Sequence, residues 1–319
     1  MVYDSSPSRD DRDPRDGRAG IDASLVRRLI AAQFPRWRDL PVTPVELDGW
    51  DNRTYRLGAE LTVRLPTAAH YAPAIDKEHR WLPVLAPALP VAIPVPVAKG
   101  APGAGYAFNW SIRRWLDGEV AGTARIDDRP AFAREVAGFL TALRGVDATG
   151  GPAAGEHSFH RGASPAYYDE ETRRTLAALA GHVDAGRALA VWEAALGAEW
   201  SGPPVWFHGD MAAGNLLVRD GRLAAVIDFG TSGVGDPACD LVIAWTLFSG
   251  AGREAFRAAA GADAAMWARA RGWALWKALL NLAGSIGSDE RLAAENRRVI
   301  DDVLADHERA HPAAAGRYA

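Results

Sequence analysis

The sequence predicts an α+β protein in two lobes, an N-terminal antiparallel sheet with one main helix and a larger, mostly helical C-terminal lobe. Three observations predict it. Short apolar runs from Val42 to Leu65 are joined by tight turns, helical periodicity dominates from Asp128 onward, and Leu116-Asp117-Gly118 interrupts the pattern between them. The expected division is a disordered tail over residues 1–20, a smaller lobe over 21–116 and a larger one over 117–319. A chain of 319 residues is long enough for one large or two modest cores.

Each element has its own signal. Asp4 to Gly20 alternates Asp and Arg with Ser, Pro and Gly, too little apolar surface to offset the entropy of ordering. Asp22 is a helix N-cap, and Leu25, Val26, Leu29 and Ile30 fall on one face of the helix it starts, which Pro35 ends. Strands are expected over Val42 to Leu47, Arg53 to Leu57 and Leu61 to Leu65, with turns at Asp48 to Asn52 and at Gly58-Ala59-Glu60. In the third strand Leu61, Val63 and Leu65 point to one face, and Thr62 and Arg64 to the other. Ala72 to Leu82 reads as a helix containing Glu78. The Pro-rich Val91 to Val97 leads to Tyr106 to Leu116, read as two strands meeting at Gly103-Ala104-Gly105.

Beyond the break, Asp128 and Pro130 open a helix with Phe132, Val136, Phe139, Leu140 and Leu143 on one face, and Gly145 stops it. Gly150 to Ser164 is loop, followed by helical stretches near Tyr167 to Leu179 and Ala185 to Glu199. After Leu241 the chain is helical again through Ile286, with a last amphipathic stretch from Glu290 to His307. There is no internal repeat.

Composition excludes several classes of function. The formal net charge of −4 gives neither a basic footprint for nucleic acid nor a polybasic membrane anchor. Cys239 is the only cysteine, so there is no intrachain disulfide and no cysteine zinc cage. The longest apolar run, Leu241 to Phe248, is far short of the roughly 18 residues of a membrane span. With no apolar signal-peptide core at the N-terminus, a cytoplasmic protein is expected.

The chemistry concentrates after Val205. Apolar Val205 to Phe207 is a strand that delivers His208-Gly209-Asp210 to a loop, and Asn215 follows just before the strand Leu216 to Val218. Asp220-Gly221 is a hairpin turn, and the return strand from Leu223 to Ile227 ends at Asp228-Phe229-Gly230. The hairpin therefore brings Asn215 and Asp228 together, with Asp210 in the same loop. Phosphoryl transfer needs such a group: a carboxylate to orient the attacking hydroxyl and take its proton, and hard oxygen ligands for magnesium at a triphosphate. Gly209, Gly214 and Gly230 permit close backbone approach.

This segment resembles the Brenner motif of the aminoglycoside phosphotransferase family, which has the protein-kinase-like fold. Its HGDxxxGNxL pattern is carried by His208, Gly209, Asp210, Gly214, Asn215 and Leu217, its IDFG motif ends on Asp228, Phe229 and Gly230, and GDPxxDL is carried by Gly235, Asp236, Pro237, Asp240 and Leu241. The resemblance implies Asp210 as catalytic base, Asn215 and Asp228 as magnesium ligands, His208 as support for the loop, and Asp236 and Asp240 as hydrogen-bonding braces. It extends more weakly over residues 22 to 308. There it implies that the turn from Gly49 to Thr54, with Asn52, covers the nucleotide phosphates, and that Arg64 holds the α/β-phosphates where many relatives use lysine. Glu78 would pair with Arg64. Arg keeps the charge and contacts phosphate bidentately, but it is longer and planar. Residues 113 to 116, and with them Arg114, Trp115 and Leu116, fall at the adenine-binding hinge. ATP, with GTP also open, would lie between the lobes.

The implied activity is ATP- and magnesium-dependent phosphorylation of a small-molecule hydroxyl, with an aminoglycoside as the favoured acceptor. A macrolide, a small metabolic alcohol or a non-catalytic nucleotide-binding regulator are the alternatives, and aromatic lining of the acceptor site would favour a bulky apolar compound. Nothing implies a protein partner, and no APE-like end to an activation segment follows Asp228-Phe229-Gly230, which argues against a protein kinase. Elsewhere, Glu156, His157 and His160 are read as surface loop rather than a metal cluster. Trp267 and Trp273 are candidate acceptor-lining aromatics among mostly core tryptophans. Asp169-Glu170-Glu171 is read as a solvated helix start, with contact to substrate ammonium groups as the alternative.

Overall fold

A computed structural model of the chain describes residues 18, 20–45, 49 and 51–311. Nearly all of the expected N-terminal tail lies outside these residues, as do Leu47, Asp48 and Trp50 of the expected first strand and turn. The chain divides into two compact units: residues up to Ala86 together with Pro94–Leu116, and Pro87–Ile93 together with everything from Asp117. Among the described residues no helix is long and apolar enough to cross a membrane.

In the first unit, α1 (Ala23–Gln33) starts where Asp22 Oδ1 accepts the Leu25 amide at 2.7 Å, and it buries the four residues of its apolar face. Strands β1 (Val42–Pro44), β2 (Asn52–Leu57) and β3 (Leu61–Pro66) form the meander. Next come α2 (Pro73–Leu85), β4 (Pro96–Gly100) and β5 (Trp110–Arg114). Among the described residues the sheet is antiparallel in the order β1-β2-β3-β5-β4. The helix α2 runs through Pro83 beyond the expected Leu82, because Leu82 and Leu85 are both buried and burial of two leucines outweighs one lost backbone hydrogen bond. The strands stop short of Gly103-Ala104-Gly105, the second beginning only at Trp110 instead of Tyr106, and the reversal itself is closed by Gly103 and Tyr106 amides on each other's carbonyls at 2.9 and 2.8 Å. Ala104 and Gly105 take the left-handed φ values of 51° and 88° that this turn requires.

The two faces of this sheet differ in kind. Leu61, Val63 and Leu65 join Trp110, Ile112 and the apolar face of α1 in one core. The opposite face is polar yet covered: Thr62 pairs with Arg113 and Arg64 with Ser111 in register, and Glu78 and His79 of α2 meet Arg113 and Ser111. Thr62 is therefore buried, although the alternation alone placed it away from the core.

In the second unit a short strand β6 (Glu119–Val120) precedes α3 (Arg129–Arg144), capped by Asp128, whose Oδ1 accepts the Ala131 amide at 2.9 Å. The helices α4 (Asp169–Ala178) and α5 (Ala185–Leu196) follow. Then come β7 (Val205–Phe207), β8 (Leu216–Arg219), β9 (Arg222–Val226) and β10 (Gly233–Gly235). The remainder is α6 (Ile243–Thr246), α7 (Gly250–Ala259), α8 (Ala264–Ser285) and α9 (Glu290–Ala310). Strands β8 and β9 form the expected hairpin, extended by β6, and β7 pairs with β10. The two partners β6 and β10 are only two and three residues long, too short for any alternation to announce them. Ala92 bridges to Ala225 and its carbonyl accepts the Val226 amide at 3.0 Å, which ties the segment before Pro94 to this unit.

Candidate active site

The loop between β7 and β8 is held from beneath by one carboxylate. Asp240 accepts the His208 amide at 2.8 Å and the Gly209 amide at 2.7 Å, one on each oxygen, and is itself buried. Gly209 sits at φ 85°, and a Cβ there would lie 2.8 Å from the Thr231 carbonyl oxygen, so no side chain fits. His208 is fully buried against Phe229. Asp210 N–H donates to its Nδ1 at 3.2 Å, which leaves Nε2–H to donate to the Ile227 carbonyl at 3.0 Å. The imidazole thus staples the loop to the end of β9 and touches neither carboxylate of the site.

Asn215 then joins the three groups. Its Nδ2 donates to the Asp210 carbonyl at 2.8 Å and to Asp210 Oδ2 at 3.2 Å, and its backbone carbonyl accepts the Ile227 amide at 2.9 Å. Asp228 follows directly, at φ 68° and ψ 65°, a left-handed conformation that Asp tolerates better than most residues. With Nδ2 committed to Asp210, the Asn215 amide oxygen is left as an acceptor. Together with the Asp228 carboxylate it offers a small, all-oxygen donor set, which fits magnesium, an ion that keeps several waters and is completed by phosphate oxygens. No group of three His, Cys, Asp or Glu that could hold a metal unaided occurs among the described residues.

Two cations that were not foreseen complete this part. Lys277 of α8 places Nζ 2.8 Å from Asp210 Oδ1. Burial alone would raise the Asp210 carboxyl, but the Lys277 ammonium outweighs it, with help from Arg161 and His208, and holds the group at about 2. Arg269 of α8 forms a buried pair with Asp236, Nε to Oδ2 at 2.6 Å and Nη2 to Oδ1 at 3.2 Å. The expected brace at Asp236 is thus an ion pair to a distant helix as well as a cap on the Ala238 amide at 3.1 Å. The one available signal was a set of charged residues, Arg269, Arg271 and Lys277, in the otherwise apolar Met266–Leu280 run.

In the first unit, Glu78 does pair with an arginine, but chiefly a different one. Arg113 of β5 meets it bidentately, at 2.5 Å and 3.2 Å, whereas Arg64 Nη1 stands 3.9 Å away. Both Glu78 and Arg113 are buried. Burial would raise the Glu78 carboxyl; Arg113 first and Arg64 second pull it below its ordinary value. Asn52 is buried, and its Oδ1 has no hydrogen-bond partner among the described residues. At the expected hinge, Arg114 is exposed, the Trp115 amide is committed to the Glu60 carbonyl at 2.7 Å, and Leu116 lies beyond the strand. Arg56 lies over the Trp115 ring at 3.9 Å.

The remaining candidates sort as follows. Trp267 is core, its Nε1 bonded to Asp306 at 2.8 Å, and Trp273 is buried beside Trp276. It is Trp276 that neighbours Lys277, stacked on Tyr168 at 4.2 Å. Of the acidic run, Asp169 bonds Trp192 and Arg173, Glu171 bonds Trp276 Nε1 at 2.8 Å, and Glu170 faces Arg174 at 4.0 Å. His157 bonds the Ala153 carbonyl at 2.8 Å, and His160 stacks on Tyr167 at 3.5 Å.

An α+β chain that gathers an Asp, an Asn and a second Asp at the mouth of a β-hairpin has the make-up of a small-molecule kinase. The chain is a member of the phosphotransferase enzyme family (APH), whose model matches residues 42–273. Among solved structures it resembles the GDP complex of aminoglycoside 2'-phosphotransferase-IIIa, with TM-score 0.65 and 17% identity over 90% of this chain and 100% of that one. It also resembles the apoenzyme of macrolide 2'-phosphotransferase MphH from Brachybacterium faecium, with TM-score 0.57 and 22% identity over 88% and 97% of the two chains. No curated protein sequence matches the chain.

Proposed function

We propose that this enzyme transfers the γ-phosphoryl group of ATP to a hydroxyl of a small molecule, with Asp210 as catalytic base. The observation that carries the reading is the Ile227 amide on the Asn215 carbonyl at 2.9 Å, which sets Asp228 beside the Asn215–Asp210 pair. Asn215 and Asp228 would hold magnesium, which supplies neutralisation of the phosphate charge. Asp210 orients the acceptor hydroxyl and receives its proton as the new P–O bond forms. A carboxylate held at about 2 is a weak base, so its contribution is mainly alignment, as suits a loose phosphoryl-transfer transition state in which proton transfer is late. His208 and Asp240 keep the loop in shape.

Arg64 is assigned to the nucleotide phosphates, with Glu78 and Arg113 fixing the polar face from which it projects. The buried, unpartnered Oδ1 of Asn52 supports a polar ligand at the start of β2. With the Trp115 amide engaged, a purine edge would be read by Leu116 and by backbone carbonyls of Arg114 and Trp115. The cytoplasm, with its ATP and magnesium, is the expected setting.

An aminoglycoside is the acceptor that the sequence favours, and solved relatives carry aminoglycoside and macrolide names. The surroundings of Asp210 support a bulky, largely apolar acceptor better: half-buried Tyr168, stacked on the buried Trp276, offers an aromatic surface, and Asp169 and Glu171 already have internal partners. Incubation with magnesium and γ-labelled ATP against aminoglycosides, macrolides and simple alcohols tests the reading. Label should move to an acceptor in the wild type and not in Asp210→Asn. Tight nucleotide binding without transfer to any acceptor would favour a regulator instead.

A further inference from the structure

Resting on that kinase reading, we propose that the acceptor carries an anionic group, received by the Arg161 guanidinium while its apolar body lies against half-buried Tyr168, whose ring is backed by Trp276. Arg161 is half-buried, its guanidinium carbon 5.8 Å from the Trp276 ring centre and 5.6 Å from that of Phe159. Among the described residues it has no salt-bridge partner, and no guanidinium N–H has a hydrogen-bond acceptor. A guanidinium beside rings and without a bonded carboxylate keeps its donors for an external anion, and its fork matches a carboxylate bidentately.

The segment that presents it is stiff. Phe159 and His160 are consecutive non-glycine residues at φ 49° and 54°, an arrangement that persists only where the surroundings enforce it. The enforcement is visible: Tyr168 Oη donates to the Phe159 carbonyl at 2.8 Å, His160 stacks on Tyr167, and Ser158 Oγ donates to the Arg161 carbonyl at 2.9 Å. The backbone that presents Arg161 is therefore fixed before any ligand arrives. Arg161 lies beside Trp276, whose chain neighbour Lys277 reaches Asp210 Oδ1 at 2.8 Å, so it belongs to the surroundings of the reacting hydroxyl.

The sign of the charge around this place is consistent. Lys277 adds a second cation, compensated by Asp210; Asp169 and Glu171 are engaged with Arg173, Trp192 and Trp276, and Glu170 is exposed to solvent 4.0 Å from Arg174. A polyamine acceptor would meet Arg161 unshielded, whereas an acid would pair with it. The anion that Arg161 receives has two possible sources, a carboxylate of the acceptor or the phosphoryl group in transfer; the aromatic stack beside it assigns it to the acceptor.

Calorimetry on the full chain, with magnesium and a non-hydrolysable ATP analogue, tests this without turnover. The probes are mandelate, which combines a hydroxyl, a ring and a carboxylate, its methyl ester, and 2-amino-1-phenylethanol. Mandelate should bind at least about tenfold more tightly than the other two, the scale of one charge-assisted pair. Arg161→Met should erase that difference, Arg161→Lys should keep part of it, and affinity for the nucleotide analogue should stay within about twofold of wild type. Equal or tighter binding of the ester or the amine overturns the proposal, as does a preference that survives Arg161→Met or no binding of any probe. Loss of nucleotide or inorganic phosphate affinity in Arg161→Met, with the mandelate preference intact, assigns the guanidinium to the phosphoryl group and also overturns it. Failure of the kinase reading has a separate signature, the absence of magnesium-dependent nucleotide binding in the same titrations.

Discussion

Lys277 Nζ lies 2.8 Å from Oδ1 of Asp210, a contact that spans 67 residues of sequence and ties the middle of α8 to the loop after β7. Asn215 Nδ2 holds the other carboxylate oxygen at 3.2 Å, so the Asp210 side chain is fixed from both ends. A carboxylate that aligns a hydroxyl works through orientation, and both contacts supply it.

Truncation of Lys277 should therefore reduce turnover rather than nucleotide binding. Lys277→Met is expected to lower kcat roughly 10- to 100-fold, the size of effect a small misplacement of a reacting group produces. The nucleotide KM should be unchanged, and Lys277→Arg should restore part of the loss. Steady-state kinetics with saturating acceptor reads this, and an unchanged kcat in Lys277→Met would refute the positioning role.

Arg113 is expected to matter to stability more than Arg64 does. Arg113→Met leaves the Glu78 carboxylate buried and paired only at 3.9 Å, a change of the kind that costs about 3–5 kcal/mol. Arg64→Met should cost much less stability while weakening nucleotide binding. Urea unfolding compares them, and the double variant Arg113→Met with Glu78→Gln should recover much of the loss.

Gly209→Ala should disable the loop locally. The position needs φ 85°, and the new methyl would meet the Thr231 carbonyl at 2.8 Å. A loss of roughly 1–3 kcal/mol is expected on the scale of enforced backbone strain, with a drop in kcat of at least about tenfold because His208 and Asp210 flank the strained residue. Full activity with unchanged melting would contradict the close approach.

Stability should fall as the pH drops from 7 towards 4. Burial, then Arg113 and Lys99, hold His79 at about 4; burial, then Arg271 and His311, hold His307 at about 4. Unfolded histidine titrates near 6.5, so below that pH the unfolded chain binds protons that the folded one refuses. The stability these groups confer is complete above about 6.5 and is lost progressively as the pH falls towards 4. The depressed Glu78 carboxyl acts in the same direction below its ordinary range. Melting temperatures across this window should decline, and His79→Asn and His307→Gln should each flatten the decline.

What could be read in advance follows the range of the interaction that determines it. The face of α1 and the Asp22 cap are local, and both were legible, as was the hairpin that brings Asn215 to Asp228. The partners β6 and β10 carry too few residues for a period. Lys277, Arg269 and Arg161 act across long stretches of chain, and nothing in their immediate neighbours names Asp210, Asp236 or an external anion. Glu78 was assigned to Arg64 from a motif, and it pairs more closely with Arg113 because β5 lies next to β3 and presents the more deeply buried guanidinium to α2. Trp273 and Trp276 both meet Tyr168, edge-on at 6.1 Å and stacked at 4.2 Å, and Trp276 alone of the two also lies by Arg161, a distinction of helix phase that a run of buried tryptophans conceals.

The central claim is that Asp210 aligns and deprotonates the acceptor hydroxyl. Single-turnover transfer of label from γ-labelled ATP, measured for wild type and Asp210→Asn with nucleotide affinity determined in parallel, tests it most directly. The account predicts a roughly 10²–10⁴-fold slower transfer with nucleotide affinity retained. Transfer at a near-native rate in Asp210→Asn would contradict it.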